Sequence, residues 1–375
     1  MNKRLLTLLF VIPLTACQTS DPTINLLKVD SKGHFTEAQL NYLTNEDPSN
    51  TSPYNGNMSV SKPVPVSISW ESDKAVSYSV ELYSDESCSK ESLVTTYQTD
   101  ETTLDFYNPI FDQTYYVKVY GYDSDNKHVY EKPSNVLSFV EKPTVKGPRN
   151  LYVDGVENFR DIGGWGYIKQ GMIYRSGRFN EDKADVVTSS ITETGLHEVN
   201  SHFKIKTEID LRRTSTNEVG GLKDESVLRK DVNYVQLPMA YGGNNILTFK
   251  GKLSGDDWEY NNPGEIKEFF KILADENNYP IDFHCSIGKD RTGCMAYLIE
   301  GLLGFDQETM YRDYMFTNFA NAGMCKLTDI TDRYGKTLDE YPTGSTLQEK
   351  IYNYLNQEIG VPTDYLDNII NILKA

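Results

Sequence analysis

Cysteine and histidine are scarce in this 375-residue sequence, with five residues of each. The cysteines form no Cys-x-x-Cys pair and no even framework of the kind that cross-links small secreted domains; they are Cys17, Cys88, Cys285, Cys294 and Cys325. No spacing typical of a metal site occurs among the cysteines and histidines. The sequence therefore predicts no disulfide scaffold, no metal centre and no cofactor.

Positive charge is also in short supply. Lysine and arginine number 37 against 54 aspartates and glutamates, which gives a formal net charge of −17. Nucleic acids and anionic bilayers attract basic surfaces. The charge balance therefore predicts no nucleic-acid partner and argues against electrostatic adsorption to a membrane.

Long apolar runs are missing, except for a short one at the N-terminus. A basic Lys3-Arg4 pair precedes an apolar run over residues 5–14, which is too short to span a bilayer but typical of a secretory signal over residues 1–16. The string Leu-Thr-Ala-Cys at 14–17 resembles a bacterial lipoprotein box, which implies cleavage before Cys17 and lipidation of that residue. We therefore expect an exported protein that is held on a bacterial membrane, in the cell envelope or at the cell surface, by the lipid anchor alone. The alternative is an ordinary signal peptide followed by an incidental cysteine.

Composition divides the residues before position 150 into three parts. Residues 17–60 are rich in Ser, Thr, Asn, Asp and Pro and predict a tether. Residues 61–142 contain short alternating apolar runs, at 64–70, 78–83, 115–120 and 136–140, which predict a small all-β sandwich. Its early Trp70 and its Tyr-x-Val-x-Val strand resemble a fibronectin type III domain, for which we expect a spacer or packing role, with ligand binding as the alternative. Residues 143–149, which contain Pro and Gly, predict a linker.

Residues 150–375 predict an α/β domain with a central parallel or mixed sheet flanked by helices. Apolar runs of strand length occur at 205–211, 234–237 and 281–283. Helical spacing of apolar residues occurs at 266–273, 292–303, 347–355 and 365–373. Strands that alternate with helices are typical of such a sheet. Residues 241–264 predict a loop or lid before one of these helices.

One ten-residue stretch lies between a predicted strand and a predicted helix: His284-Cys285-Ser286-Ile287-Gly288-Lys289-Asp290-Arg291-Thr292-Gly293. A tight loop that ends at a helix N-terminus can direct successive backbone N–H groups inward and cradle a phosphate dianion. Amide dipoles and the Arg291 guanidinium would favour the thiolate of Cys285 at the floor of this cradle. Arg291 could also grip two phosphoryl oxygens. The stretch therefore predicts a nucleophilic cysteine in a phosphate site.

This stretch resembles the signature of the cysteine-dependent protein tyrosine phosphatase superfamily. Its Gly-Lys-Asp-Arg form resembles a bacterial branch of tyrosine, dual-specificity and lipid phosphatases. The resemblance implies Cys285 as nucleophile, Arg291 as phosphate clamp and Asp290 as general acid. The residues expected to bind the substrate within the loop are Ser286, Ile287, Gly288, Lys289 and Thr292. Thr292, beside Arg291, is also placed to hydrogen-bond the sulfur.

Two further segments match that branch. They are residues 158–164 with 174–178, and Ile209-Asp210-Leu211-Arg212 with Glu218. A weaker match at 313–318 extends the resemblance from about residue 150 to 320. We expect Arg160 to add positive potential and bind substrate. His284 and Asp210 are expected as supporting residues, His284 by ordering the loop and Asp210 by ordering arginines.

These features predict a phosphatase that hydrolyses phosphate monoesters through a cysteinyl-phosphate intermediate. The leading prediction is a protein-tyrosine phosphatase of relaxed specificity. Lys289 would add positive charge beside the transferred phosphoryl group. Hydrolysis of phosphoinositides or inositol phosphates is therefore the alternative prediction. A lipid-anchored surface binding protein with an inactive, phosphate-recognising domain is a third possibility, against which the intact Cys285, Asp290 and Arg291 argue.

Overall fold

The computed structural model describes residues 24–45, 47–51, 57–130, 132–180, 190–214, 218, 222–241 and 245–375. The predicted signal over residues 1–16 and the predicted lipid site Cys17 lie outside these described residues. The described chain forms an all-β region followed by a mixed sheet with helices packed against it.

The all-β region consists of two antiparallel sheets. One sheet contains β1 (Asn25–Asp30), β2 (Val66–Glu71) and β5 (Thr103–Phe106), and the other contains β3 (Ser77–Tyr83), β4 (Leu93–Thr99), β6 (Thr114–Tyr122) and β7 (Leu137–Val140). Burial alternates strictly along β6, where Tyr115, Val117 and Val119 are fully buried. These residues form one apolar core with Ile68 and Trp70 of the facing sheet. Strands β2, β3, β6 and β7 confirm the four predicted runs.

The expectation of a tether over residues 17–60 is wrong for the described part of that range. Strand β1 pairs antiparallel with β2, with Leu26 opposite Trp70. Helix α1 (Glu37–Leu43) carries Tyr42, whose ring is only 2% exposed and lies 5.5 Å from that of Phe319. Both contacts depend on partners far along the chain, which local composition does not reveal.

The second sheet has six strands in the order β12-β11-β15-β10-β9-β8. The four strands β12, β11, β15 and β10 are parallel, and β9 and β8 continue the sheet antiparallel. Their bounds are β8 (Arg149–Asn150), β9 (Arg160–Asp161), β10 (Ile173–Ser176), β11 (Thr207–Asp210), β12 (Asn233–Gln236) and β15 (Ile281–His284). The predicted runs at 205–211, 234–237 and 281–283 are thus confirmed as strands. Because β10, β11 and β15 end side by side, the residues after them converge at one edge of the sheet.

Helices cover this sheet and supply most of its core. The longer ones are α4 (Asn262–Leu273), α5 (Asp290–Leu302), α6 (Gln307–Phe316), α9 (Leu347–Tyr354) and α10 (Thr363–Leu373). The shorter ones are α2 (Met58–Ser61), α3 (Glu193–His197), α7 (Leu327–Ile330) and α8 (Lys336–Asp339). Within the range expected to be a loop or lid, a small hairpin forms from β13 (Lys250–Lys252) and β14 (Glu259–Asn261). Among the described residues, no helix has the length and apolar character needed to cross a membrane.

Buried polar side chains join the two regions. Asn108 is 1% exposed; its amide donates to the Tyr152 carbonyl (2.8 Å) and to the Glu198 carboxylate (3.0 Å), and its oxygen accepts from the Tyr152 N–H (2.7 Å). The Tyr97 hydroxyl also donates to Glu198. Burial opposes the ionisation of Glu198, but the bonds from His202, Tyr97 and Asn108 hold the pKa of its carboxyl below the ordinary value. The sandwich is therefore docked on the α/β region through a specific polar contact.

Replacing Asn108 should loosen this contact. Asn108→Ala leaves the Tyr152 amide and carbonyl without this partner and removes one of the two bonds to a Glu198 oxygen, and we expect a loss of about 1–3 kcal/mol in the free energy of unfolding. Urea unfolding followed by tryptophan fluorescence measures this loss. Asn368→Ala, at an exposed position on α10, is the matched control. Equal unfolding midpoints for the two variants would contradict the assignment of Asn108 to the contact.

Candidate active site

The ten-residue stretch forms a tight loop between β15 and α5, as its sequence predicts. Gly288 adopts a positive φ of 71°, which disfavours residues with a side chain. A Cβ atom at this position would also lie 2.6 Å from the carbonyl oxygen of Ser176. The turn therefore requires glycine, and it brings the chain from the end of β15 into the first turn of α5.

The carbonyl oxygens of the loop bond to donors outside it. The backbone N–H and the guanidinium of Arg178 donate to the Ser286 carbonyl at 3.1 and 3.2 Å. The Asn158 amide donates to the next two carbonyls at 3.2 and 3.0 Å, and Arg175 donates to the second of these, that of Gly288, at 2.9 Å. Because the carbonyls face outward, we infer that the loop N–H groups face its interior, the arrangement that binds anions.

Cys285 lies at the floor of this loop and is 2% exposed. Burial of the sulfur opposes its ionisation, but the charge of Arg291 and the hydroxyl and N–H of Thr292 outweigh this effect and hold the pKa of the thiol below its ordinary value. The Thr292 hydroxyl is fully buried and has no oxygen or nitrogen partner among the described residues. The site thus favours a thiolate nucleophile.

Arg291 is oriented by Glu218 through two bonds. The two terminal nitrogens donate to the two oxygens of the Glu218 carboxylate at 3.1 and 2.9 Å. One of them also donates to the Leu211 carbonyl at 3.1 Å. The buried Nε–H has no partner among the described residues. The guanidinium is thereby held in one orientation with an N–H group left for a phosphoryl oxygen.

His284 connects the loop to the neighbouring strand β11. Its Nε2 lies 3.0 Å from the Glu208 carboxylate, and its Nδ1 lies 3.2 Å from the Cys285 carbonyl and 3.9 Å from Asp210. Burial disfavours the charged ring, but Asp210 and Glu208 reverse this effect and raise the pKa of His284 to about 9. The imidazolium therefore donates from both nitrogens at neutral pH and fixes the backbone at the nucleophile.

Asp210 is a buried partner of cations rather than a proton donor. Burial opposes its ionisation, but His284 and Arg212 bring the pKa of the carboxyl down to about 2. Arg212 donates to it from its backbone N–H and from its guanidinium, and the Tyr234 hydroxyl donates at 2.9 Å. Asp210 therefore stays ionised and orders the side chains at the end of β11.

Asp290 and Lys289 lie at the rim of the loop and are bound by one segment of the chain. Asp290, the first residue of α5, forms an ion pair with Arg333. The Lys289 amine donates to the Met324 carbonyl at 2.8 Å and lies 3.3 Å from Asp329. Both charges at the rim are therefore balanced by residues that follow α6.

The structure does not bring Arg160 to the substrate-binding face. Its side chain is fully buried, with Nε 3.2 Å from Asp313 and further bonds to Asn158 and Thr317. Burial lowers the pKa of its guanidinium to about 10, against the opposing effect of Asp313. The expectation that Arg160 binds substrate is thus corrected: it holds Asn158, which in turn holds the loop carbonyls.

Sequence reasoning missed three residues that shape this site. In the sequence Glu218 stands out only as part of a motif, and no residue spacing reveals that the chain folds back to place it against Arg291. Glu208 lies two residues before Asp210 and therefore on the same face of β11, but only the parallel register with β15 brings it to His284. Arg333 lies in a segment that carries no local sequence motif.

The comparison with known families agrees with this geometry. The sequence profile of the tyrosine phosphatase family matches residues 151–375, more than half of the chain. The chain belongs to the tyrosine phosphatase family. The matched range contains the loop, Arg291 and both carboxylates that hold His284.

Individual relatives are distant. A Cupriavidus necator protein with the provisional name tyrosine-protein phosphatase H16_A0669 is 24% identical over 204 residues, which cover 48% of this chain and 67% of the relative. The core catalytic domain of the PP-IP phosphatase SIW14 from S. cerevisiae is 16% identical, with a TM-score of 0.30, and the match covers 55% of this chain and 97% of that chain. P. aeruginosa TpbA is 14% identical, with a TM-score of 0.29, over 57% of this chain and 91% of that chain. Identities and TM-scores this low do not identify a family, whereas the profile match over residues 151–375 does.

The lowered pKa of Cys285 predicts selective alkylation. Iodoacetamide should modify Cys285 with a pH midpoint below the ordinary thiol value of about 8.5, because the thiolate is the reactive form. Thr292→Val should move this midpoint upward, since it removes one donor to the sulfur. Mass spectrometry of the Cys285 peptide over pH 5–9 measures the rate. Cys294 and Cys325, whose thiol pKa values are raised by burial, serve as internal controls, and equal reactivity of all three would contradict the assignment.

Proposed function

We propose that this chain is a phosphatase that hydrolyses phosphate monoesters through a cysteinyl-phosphate intermediate, with phosphotyrosine in proteins as the preferred substrate. One observation carries the proposal: the Cys285 thiol, with its pKa lowered, lies under a loop whose carbonyls face outward and beside Arg291, whose Nε–H has no partner within the described part of the chain. A nucleophile, an anion cradle and a clamp in one place match phosphoryl transfer.

In the first step the Cys285 thiolate attacks phosphorus, an S–P bond forms and the P–O bond to the leaving group breaks. The leaving oxygen takes a proton from Asp290 at the entrance of the loop. The loop N–H groups and Arg291 stabilise the charge on the non-bridging oxygens. The products are the free alcohol or phenol and the cysteinyl phosphate.

In the second step water attacks phosphorus and breaks the S–P bond. Asp290, now a carboxylate, accepts the proton from water. Thr292 donates to the sulfur as the thiolate leaves. Inorganic phosphate is released, and the thiolate and the protonated Asp290 are restored.

Charge pairing favours phosphotyrosine over multiply phosphorylated substrates. The cationic side chains at the rim and the clamp already face acids: the pairs are Lys289–Asp329, Arg333–Asp329, Arg213–Glu218 and Arg291–Glu218. Inositol polyphosphates and phosphoinositide head groups place several dianions together and need unpaired cations around the site. A single phosphoryl group needs only the loop and Arg291. Hydrolysis of phosphoinositides or inositol phosphates therefore becomes the second choice.

A lipid anchor on Cys17 would hold the enzyme close to the bilayer. Residues 1–17 of the sequence alone support export and lipidation. The chain enters the sandwich at β1, and the seven Cα–Cα steps from Cys17 to Ile24 can reach at most about 25 Å. The sandwich, with its resemblance to a fibronectin type III domain, would then lie near the membrane surface and position the docked phosphatase region above it.

Phosphate release from a panel of substrates tests the proposed activity. The panel contains a phosphotyrosine peptide, the same peptide with phosphoserine, a phosphoinositide and an inositol polyphosphate. We expect the phosphotyrosine peptide to be hydrolysed fastest and Cys285→Ser to abolish release, because the hydroxyl at this position is not ionised. Cys88→Ser, on the sandwich, is the matched control and should retain activity. If neither the wild type nor Cys285→Ser releases phosphate from any substrate, the result would instead support a phosphate-binding protein.

The role of Asp290 is tested by how strongly its replacement slows substrates with different leaving groups. Asp290→Asn removes the proton donor, so kcat on a phosphotyrosine peptide should fall about 100-fold or more and its basic limb in the pH–rate profile should disappear. The loss in kcat/KM, which reports the first step alone, should be much smaller for p-nitrophenyl phosphate, whose leaving group needs no proton. Asp364→Asn, at an exposed position on α10, is the control. Unchanged acidic and basic limbs would remove Asp290 from this role.

A further inference from the structure

Tyr241 lies directly beside the phosphate clamp and is partly open to solvent. Its ring centroid is 4.7 Å from the guanidinium carbon of Arg291 and 5.3 Å from that of Arg213. The residue is 39% exposed, so the ring contacts the clamp while part of it remains accessible. A cation held against an aromatic face restricts the position of the ring.

The backbone before Tyr241 is held on two sides. Asn262, fully buried at the start of α4, accepts from the Ala240 N–H at 2.9 Å and donates to the Ala240 carbonyl at 2.7 Å. The Met239 carbonyl accepts from Arg291 at 3.4 Å. The ring is therefore anchored to the clamp and to α4 before any ligand binds, which lowers the entropic cost of using it in recognition.

Arg213 fixes the ring without adding net charge. Its guanidinium lies 3.0 Å from Glu218 and 3.5 Å from Asp256. Tyr241 is thus in contact with two guanidinium groups that are each neutralised by carboxylates. At this point the rim therefore presents an aromatic surface without net charge to a substrate.

We propose that Tyr241 is a specificity-determining residue that forms the wall against which the aryl group of a phosphate ester packs. This inference rests on the proposed function and names the part of the site that recognises the group bearing the phosphate. A phosphoryl group bound to the Nε–H of Arg291 places the next atoms of the substrate at the rim, beside the ring of Tyr241. Aromatic pairs of this kind favour association by about three- to tenfold beyond the area they bury.

Binding to the inactive Cys285→Ser protein tests the proposal without relying on turnover. Calorimetry compares phenyl phosphate with inorganic phosphate, which occupies the loop but has no ring. We expect Tyr241→Leu to weaken phenyl phosphate binding about three- to tenfold and to leave inorganic phosphate within about twofold. Tyr241→Phe should retain the preference for phenyl phosphate. Tyr167→Leu replaces another exposed aromatic residue, which packs on Phe305, and is the control.

Two results would overturn the role of Tyr241. An unchanged ratio of the two affinities in Tyr241→Leu would show that the ring makes no contact with the aryl group. Equal weakening of both ligands would show that the ring only positions Arg291. Failure of the proposed function is seen separately, because it appears as absence of turnover in the unmodified protein while the binding ratio still reports on Tyr241.

Discussion

The loop at Cys285 depends on one constraint: to bind an anion such as a phosphoryl group, its carbonyl oxygens must face away from that anion, since inward carbonyl dipoles would repel it. Donors are therefore needed behind the loop, and the protein supplies them as the buried side chains of Arg178, Asn158 and Arg175. A buried guanidinium group destabilises the fold unless an acidic side chain pairs with it. Asp313 pairs with Arg175 and with Arg160, and Arg160 bonds to Asn158. This chain of buried charges acts on the substrate only through the backbone it holds.

The local chemistry of the sequence was enough to predict the strand, loop and helix around Cys285, because glycine, the thiol and the arginine lie within ten residues and their roles follow from backbone geometry. Contacts between distant segments could not be predicted in this way. A sequence shows that Arg160 is cationic but not that Asp313, on a later helix, buries and neutralises it. The same holds for β1, whose pairing with β2 crosses about forty residues and turns a polar segment into part of a sheet. The predictions were wrong at positions where a distant partner in the fold, and not the residue type, determines what the side chain or segment does.

The interface between the sandwich and the α/β region extends this argument to the whole chain. Besides the contact centred on Asn108 and Glu198, the ammonium group of Lys62 lies 4.1 Å from the ring centroid of Tyr107 and 3.9 Å from that of Tyr152. One lysine thus joins the segment before β2 to a tyrosine of each region. Polar and cation–π contacts of this kind require fixed geometry. A sandwich held through them is suited to set the orientation of the phosphatase region, which a flexible spacer could not do.

The net charge of −17 limits how an anionic substrate can be recognised. At long range the acidic surface repels phosphate esters, and the cations near the site are paired with acids. Attraction therefore comes from short-range groups: the inward N–H groups of the loop, the N-terminus of α5 and the Nε–H of Arg291. Such groups act on one phosphoryl group at a time, and their attraction decays within a few ångströms. Discrimination between substrates must then come from the groups that touch the next atoms of the ester, and the ring of Tyr241, which lies against Arg291, is the group that we propose for this contact.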